Sequence, residues 1–154
     1  MNMATQPAAR GDDETIEQEI QRKGKTAPRI TPAAIDAVIA TEHYFTADQG
    51  ARQAGLDWAV QLDQPYQPTT RAELTLLTFC VLVLRNGFTV TGESACASPE
   101  NFDAEIGRKI ARANAIAKIW PLEGYVLKQR LHDAAKRPNP AHGAPRPLGH
   151  NPVG

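Results

Sequence analysis

Apolar and polar positions change their period along the chain, and the clearest pattern lies between residues 74 and 97. The apolar run from Leu74 to Leu84 has the length of a strand, and an alternating segment follows the dipeptide Asn86-Gly87. Asn-Gly between two such runs is the strongest short hairpin signal, because a type I′ turn needs positive φ at both central residues. The pattern therefore predicts an antiparallel hairpin with a two-residue loop at Asn86-Gly87.

The register of this hairpin predicts which side chains enter the core. With a two-residue loop, Val83 lies opposite Val90 and Phe79 lies opposite Ser94. The first strand is apolar on both faces, which is typical of a central strand that other elements cover on two sides. One face of the predicted hairpin consists of Leu77, Phe79, Val81, Val83, Phe88 and Val90, and all of these except Leu77 are predicted to be mostly buried.

A helical period follows the hairpin. Ser98 suits the N-cap and Pro99 suits the first helical position. Pro121 disfavours helical geometry at the residue before it, so the pattern predicts a break there and a second helix that runs to Leu131. The predicted apolar stripe of the first helix has three- and four-residue spacing and consists of Phe102, Ile106, Ile110, Ala113, Ala117 and Trp120.

The remaining segments carry weaker patterns. Thr31-Pro32 predicts a short N-terminal helix that continues to about Phe45, and residues 46–73 are predicted as loop with at most one helical turn. Residues 1–28 are predicted to be a flexible charged arm, and the Pro-, Gly- and His-rich residues 136–154 a disordered tail. Together the patterns predict one α+β domain over residues 29–135, in which the hairpin packs against a C-terminal helix pair.

Composition narrows the class of protein. The 154 residues carry 17 basic and 17 acidic side chains, and this balance argues against a dedicated nucleic-acid coat. No apolar run reaches the length of a membrane span, so no membrane association is predicted. Cys80 and Cys96 do not form a disulfide framework, and the predicted register places them on opposite faces of the hairpin. Both thiols are therefore predicted to stay reduced, as in an intracellular protein.

Three stretches carry a family resemblance. They are ITPAAIDAVIATEHYFTADQG at residues 30–50, RNGFTVTGESAC at residues 85–96 and PENFDAEIG at residues 99–107. Over about residues 30–131 the chain resembles a small family of proteins from tailed bacteriophages and prophages, labelled after a gene product 49 and a gene 66. The resemblance implies an accessory protein in the cytoplasm of the bacterial host. The family has no established enzymatic activity, so the resemblance supplies no site residues.

A basic patch is the best candidate binding site in the sequence. Arg108, Lys109 and Arg112 lie within two helical turns, and Trp120 or Tyr125 could stack on a base. This pattern predicts a site for an anion, a nucleotide or a nucleic-acid strand. The alternative is a solvated helix face, partly neutralised by Glu105 four residues before Lys109.

A second candidate is an exposed polar site at Glu93, Ser94 and His43. Gly92 would allow a bulge or a close backbone approach that displays Glu93 and Ser94, whereas the plainer alternative is a solvated carboxylate on an open strand. A thiol–imidazole pair of Cys96 and His43, with Glu42 orienting the ring, would be the nucleophilic alternative.

Metal and cofactor chemistry has less support in the sequence. The histidines and cysteines share no ligand spacing, so no metal site is predicted, and no phosphate-loop or dinucleotide fingerprint indicates a cofactor.

These observations predict a small non-enzymatic phage or prophage accessory protein. It would act by binding nucleic acid, a nucleotide or a host protein, and it could form a homo-oligomer. Two alternatives remain, which are a minor component of the virion or of its assembly, and a small enzyme dependent on Cys96 and His43.

Overall fold

A computed structural model describes residues 10–68 and 71–137 of the chain. Within them, four α-helices and a three-stranded antiparallel sheet confirm the predicted α+β class. The helices are α1 (Arg10–Arg22), α2 (Pro32–Val38), α3 (Ala47–Gln61) and α4 (Ala104–Lys136), and the strands are β1 (Ile39–Thr46), β2 (Leu77–Leu84) and β3 (Thr89–Ala95). Short 3₁₀ turns at Ala72–Leu76 and Pro99–Asn101 precede β2 and α4.

The sheet has the order β1-β2-β3, so β2 is the central strand, as predicted. The third strand is a correction, because the sequence predicted that the helix after Thr31 continues to about Phe45. Helix α2 instead ends at Val38, where Ile39 turns to extended geometry, and Ile39–Thr46 pairs with β2. β-branched and aromatic residues dominate this segment, and they favour a strand once the edge of β2 offers them a partner.

The hairpin between β2 and β3 forms where it was predicted, but its register differs by one residue. The loop has three residues, 85–87, because Leu84 N donates to Phe88 O and Gly87 N donates to Leu84 O. Only Gly87 of the loop has a positive φ, at +85°. Leu82 therefore lies opposite Val90, where the predicted register placed Val83.

This shift reverses the predicted core face of the hairpin. Cys80, Leu82 and Leu84 point towards α4 and are buried, as is Val90. The predicted core residues Phe79, Val81 and Val83 lie on the other face, together with Leu77, and are only half-buried, while Phe88 is exposed in the turn. A register shift of one residue moves a strand's entire apolar set to the opposite face relative to its partner, which explains the error.

Helix α4 packs on the sheet through small side chains. Its buried row consists of Gly107, Ala111, Ala115 and Ile119, spaced four residues apart. Ile106 and Ile110, which the sequence placed at the centre of the stripe, are 56% and 40% exposed. The predicted stripe is therefore displaced by about one position around the helix, because large apolar side chains indicate a buried face only when the opposing surface leaves room for them.

Gly92 brings β3 so close to α4 that no room remains for large side chains between them. A Cβ atom at Gly92 would lie 2.1 Å from the carbonyl oxygen of Ala111 and 2.3 Å from the amide nitrogen of Ala115. The backbones of β3 and α4 are thus in direct contact, and only small residues fit between them. Of the two predicted roles of Gly92, the close backbone approach is the one observed, since the β2–β3 ladder continues through it without a bulge.

Helix α4 begins and ends at other residues than the sequence predicted. Asp103 caps the helix by accepting from the amides of Glu105 and Ile106 at 2.8 and 2.9 Å, whereas Ser98 precedes only the short 3₁₀ turn. The helix then runs for 33 residues with Pro121 inside it, so a single long helix replaces the predicted pair. A proline removes one hydrogen bond at a cost of about 3 kcal/mol, which good helix formers on both sides can offset.

Two further helices occupy segments predicted without stable structure. Helix α3 lies in the predicted loop and begins with a capping box, in which Thr46 and Gln49 exchange side-chain to backbone hydrogen bonds. Helix α1 lies inside the predicted flexible arm, and its Glu17 bonds to Arg29 Nη2 at 2.6 Å. Residues 1–9 and 138–154, which include most of the predicted tail, lie outside the described residues.

Cys80 and Cys96 are both free, which confirms the prediction that they are not bonded to each other. The prediction that they lie on opposite faces of the hairpin was wrong, because in the observed register both residues lie on the same face. Cys80 lies opposite Gly92, and Cys96 follows Gly92 by four residues, which separates the two positions by about 13 Å along the strand direction. Across residues 10–68 and 71–137, no helix combines the length and the apolar composition that a bilayer crossing requires.

Candidate functional site

Arg112, which belongs to the predicted basic patch, is part of an ion-pair cluster. Nε and Nη2 of Arg112 donate to the carboxylate of Glu42 at 2.7 to 3.0 Å, and Nη2 also reaches Asp36 Oδ1 at 3.3 Å. The hydrogen bonds to Glu42 raise the pKa of Arg112 against the opposing effect of burial. Because Glu42 lies on β1 and Asp36 on α2, Arg112 joins α4 to both elements.

The other residues of the predicted patch do not converge. Lys109 pairs with Glu105 at 2.7 Å on the exposed side of α4, as the alternative interpretation expected. Arg108 is exposed and lies in the helix row of Arg112, on the side of α4 that faces β1. Trp120 is half-buried and lines a cleft of about 270 Å³ beneath α1. Tyr125 projects into solvent beyond the sheet.

The Arg112 cluster continues into the core but has no reactive group. Tyr44 donates its hydroxyl hydrogen to Glu42 Oε2 at 2.6 Å, and burial followed by this bond raises the pKa of Tyr44. Burial also raises the pKa of the neighbouring Cys80 thiol. A thiol with a raised pKa stays protonated and is a poor nucleophile. The cluster therefore stabilises the contact between α2, β1 and α4.

The predicted polar site is divided between two faces of the sheet. Glu93 and His43 lie on the face away from α4, on the outer strands β3 and β1, whereas Ser94 lies opposite Thr78 on the face towards α4. Cys96 follows β3, about 16 Å along the strand from the row of His43, and its Sγ donates to Ser98 O at 3.1 Å. Glu42 points to the face opposite His43, so the structure does not bring these three residues together.

The outer edge of β3 is covered by side chains of α4. Asn114 Nδ2 donates to Glu93 O at 2.7 Å, and Lys118 Nζ donates to Thr91 O at 2.5 Å. These carbonyl groups point away from β2 and would otherwise be available to another strand. These two contacts hinder strand addition at β3.

The sheet face away from α4 is an apolar surface without a covering layer in the described chain. We call it the open face. Phe45 and Phe79 stack at one end of it with ring centroids 5.6 Å apart, and α3 approaches that end, where a Cβ atom at Gly50 would lie 3.6 Å from the Phe45 ring. The open face consists of Thr41, His43 and Phe45 from β1, Leu77, Phe79, Val81 and Val83 from β2, and Thr89, Thr91, Glu93 and Ala95 from β3.

The open face differs chemically from the rest of the surface. Glu93 is its only acidic residue, and it contains no lysine or arginine. The apolar residues of β2 form a stripe between threonine-rich flanks. An apolar centre with a polar rim is the composition of a protein-binding surface and differs from that of an anion site.

Sequence reasoning missed this surface because it assigned its residues to the core. One signal could have revealed the correct face, namely the four-residue spacing of Gly107, Ala111 and Ala115, which matches the close approach that Gly92 permits. Small residues at that spacing mark the line along which a helix contacts a backbone.

Residues 30–131 match a protein family described as "Phage protein (N4 Gp49/phage Sf6 gene 66) family". The match covers about two thirds of the chain and includes the whole sheet, α2, α3 and the part of α4 that packs on it. Neither a curated protein nor a solved structure matches the chain.

Proposed function

The chain belongs to this phage protein family, and from that premise we propose that it is an accessory protein that acts by binding another protein through the open face. The carrying observation is strand β2. One of its faces is buried against α4, whereas the apolar stripe on its other face is half-buried and has no covering layer among residues 10–68 and 71–137. Uncovered apolar surface of this extent is typical of an interface in a soluble protein.

Charge supports a protein partner over nucleic acid. Arg112 is engaged by Glu42 and Asp36, and Lys109 by Glu105, so two of the three cations of the predicted patch are already paired. A nucleic-acid site needs several unpaired cations along one surface. The proposed binding takes place in the cytoplasm of the infected bacterium and needs no catalytic residue.

The test is affinity capture from infected cells with three forms of the protein. The wild type is compared with Val81→Arg, which places a charge at the centre of the open face, and with Leu131→Arg, which adds the same charge on the exposed distal part of α4. Lysates are treated with nuclease before capture. We expect a protein that co-purifies with the wild type and with Leu131→Arg, is lost with Val81→Arg, and rebinds when purified.

Two results would contradict the proposal. One is a set of captured proteins that Val81→Arg leaves unchanged. The other is a partner that disappears after nuclease treatment and is lost when Arg108 and Lys109 are both changed to glutamate. The second result would favour the anion-binding site predicted from the sequence.

A further inference from the structure

We infer that the open face binds a second copy of this chain, so that two sheets pack face to face in a symmetric dimer. This inference rests on the proposed function, since it names the partner of the same surface. The dimer would have four layers, with one α4 helix outside each sheet and the two stripes of β2 at the centre.

The first argument is the apolar chemistry of β2. Strands with apolar residues on both faces occur where layers cover the sheet on both sides. Helix α4 supplies one layer over Cys80 and Leu82, while Val81 and Val83 on the other side are only half-buried. Two antiparallel sheets packed about 10 Å apart bury such side chains against each other in β-sandwiches.

The second argument is that the open face is self-complementary in charge. A two-fold axis parallel to the strands places β2 over β2 and each β1 over the partner's β3. The Glu93 carboxylates then lie at opposite edges of the sandwich and do not repel each other closely. Each one lies over the partner's β1 in the row of Phe45, and this face of β1 carries no charged residue.

The third argument concerns size. The open face is three strands wide and four residue rows long, which corresponds to about 15 by 25 Å from the spacing of strands and the rise per residue. Two such faces bury roughly 750 Å² by these dimensions, which is below the usual range for specific interfaces and corresponds to a weak complex. The dimer is therefore expected to be reversible, with a dissociation constant in the micromolar range.

Strand addition, the usual alternative for a sheet protein, is hindered at β3. Asn114 and Lys118 occupy the outward carbonyl groups of Glu93 and Thr91. At β1, the outward amide of Thr46 is bonded to Gln49 Oε1 within the capping box. These contacts disfavour pairing along β3 and at the Thr46 end of β1, and we place the second sheet on the open face.

Sedimentation equilibrium of the purified full chain, from about 1 to about 300 µM, tests the inference. We expect the mass to rise from 16.7 kDa to twice that value for the wild type and for Leu131→Arg. Val81→Arg should remain monomeric throughout, because two arginines would meet near the two-fold axis. The equilibrium should change little with salt, since each face contributes one carboxylate.

Cross-linking keeps the test decisive if Val81→Arg fails to fold. Val81→Cys and Leu131→Cys are each prepared with Cys96→Ser and treated with a short bismaleimide. We expect covalent dimers from Val81→Cys and few from Leu131→Cys. Equal yields from both, a wild type that stays monomeric, or a folded Val81→Arg that still dimerises would overturn the inference. A monomeric wild type that captures a different protein through Val81 would refute only this inference, whereas the proposed function itself fails if no protein, including a second copy, depends on Val81.

Discussion

The contact between Gly92 and α4 leads to the sharpest prediction about stability. In Gly92→Ala, the new Cβ would lie 2.1 Å from Ala111 O and 2.3 Å from Ala115 N. Both neighbours are backbone atoms of a helix, so neither can rotate away. The helix must move about 1 Å from β3 to restore ordinary contact, and a gap of that size forfeits a quarter to a half of the dispersion energy of nearby atoms.

The magnitude follows from two opposing effects. Overpacking a tight core costs about 1–3 kcal/mol and occasionally more, and the displaced helix also loosens the buried row that ends at Ile119. Removing a glycine stabilises by about 0.4–1 kcal/mol through the unfolded chain. We therefore expect Gly92→Ala to lower the free energy of unfolding by about 3 kcal/mol, with a fall of more than about 10 °C in the melting midpoint.

Two other glycines provide matched controls in urea titrations followed by circular dichroism. A Cβ at Gly124 in α4 meets nothing within 4 Å, so Gly124→Ala should stabilise by up to about 1 kcal/mol. Gly87 also has open space but a φ of +85°, so Gly87→Ala should cost about 1–2 kcal/mol through backbone strain alone. If Gly92→Ala loses no more stability than Gly87→Ala, the direct contact between β3 and α4 is not as described.

Three further predictions concern α4 and the cluster beside it. Ile119→Ala should lower the free energy of unfolding by about 2–5 kcal/mol in urea titrations because Ile119 is fully buried, whereas Ile106→Ala should lower it by less than about 1 kcal/mol. Comparable losses in the two variants would contradict the assignment of Ile119, and not Ile106, to the buried row of α4. Arg112→Met should cost about 1–2 kcal/mol, and less at high salt, since its partners are partly exposed; a loss independent of salt would contradict an ionic origin. Because folding raises the pKa of Tyr44, the contribution of this residue to stability should be constant below the unfolded tyrosine pKa of about 10 and should fall as pH rises above it. In an absorbance titration at high pH, Tyr44→Phe should remove a late-ionising component, whereas loss of a component that ionises near pH 10 would show that folding does not raise the pKa of Tyr44.

Local chemistry made the hairpin and the existence of the following helix predictable. Asn86-Gly87 marks the turn, and the runs on either side have strand composition. What the local pattern could not determine is the loop length, because Asn-Gly suits a two-residue loop and also the end of a three-residue loop with glycine in the left-handed conformation. The choice between them depends on which β3 residues can meet α4, and Gly92 allows only one.

The errors in the helices have a similar origin. The stripe through Ile106 and Ile110 is the most hydrophobic line on α4, but the helix packs along its smallest residues because the backbone of β3 lies against them. Strand β1 was taken for the end of a helix because its pairing with β2 is not local in sequence. The capping box of Thr46 and Gln49 was visible in the sequence and would have indicated α3.

The sequence did not reveal the candidate site because it does not show which cations are paired and which apolar residues remain uncovered. Arg112 has the sequence context of a surface cation, and only the fold reveals that Glu42, 70 residues away, occupies its guanidinium. The open face has the sequence context of a core, because Val81 and Val83 belong to a strand that is apolar on both sides. That strand predicts two covering layers, and α4 provides one of them within the described chain. If the prediction of two layers is correct, the second layer lies outside the described residues, and a second copy offers the same apolar stripe without an opposing charge.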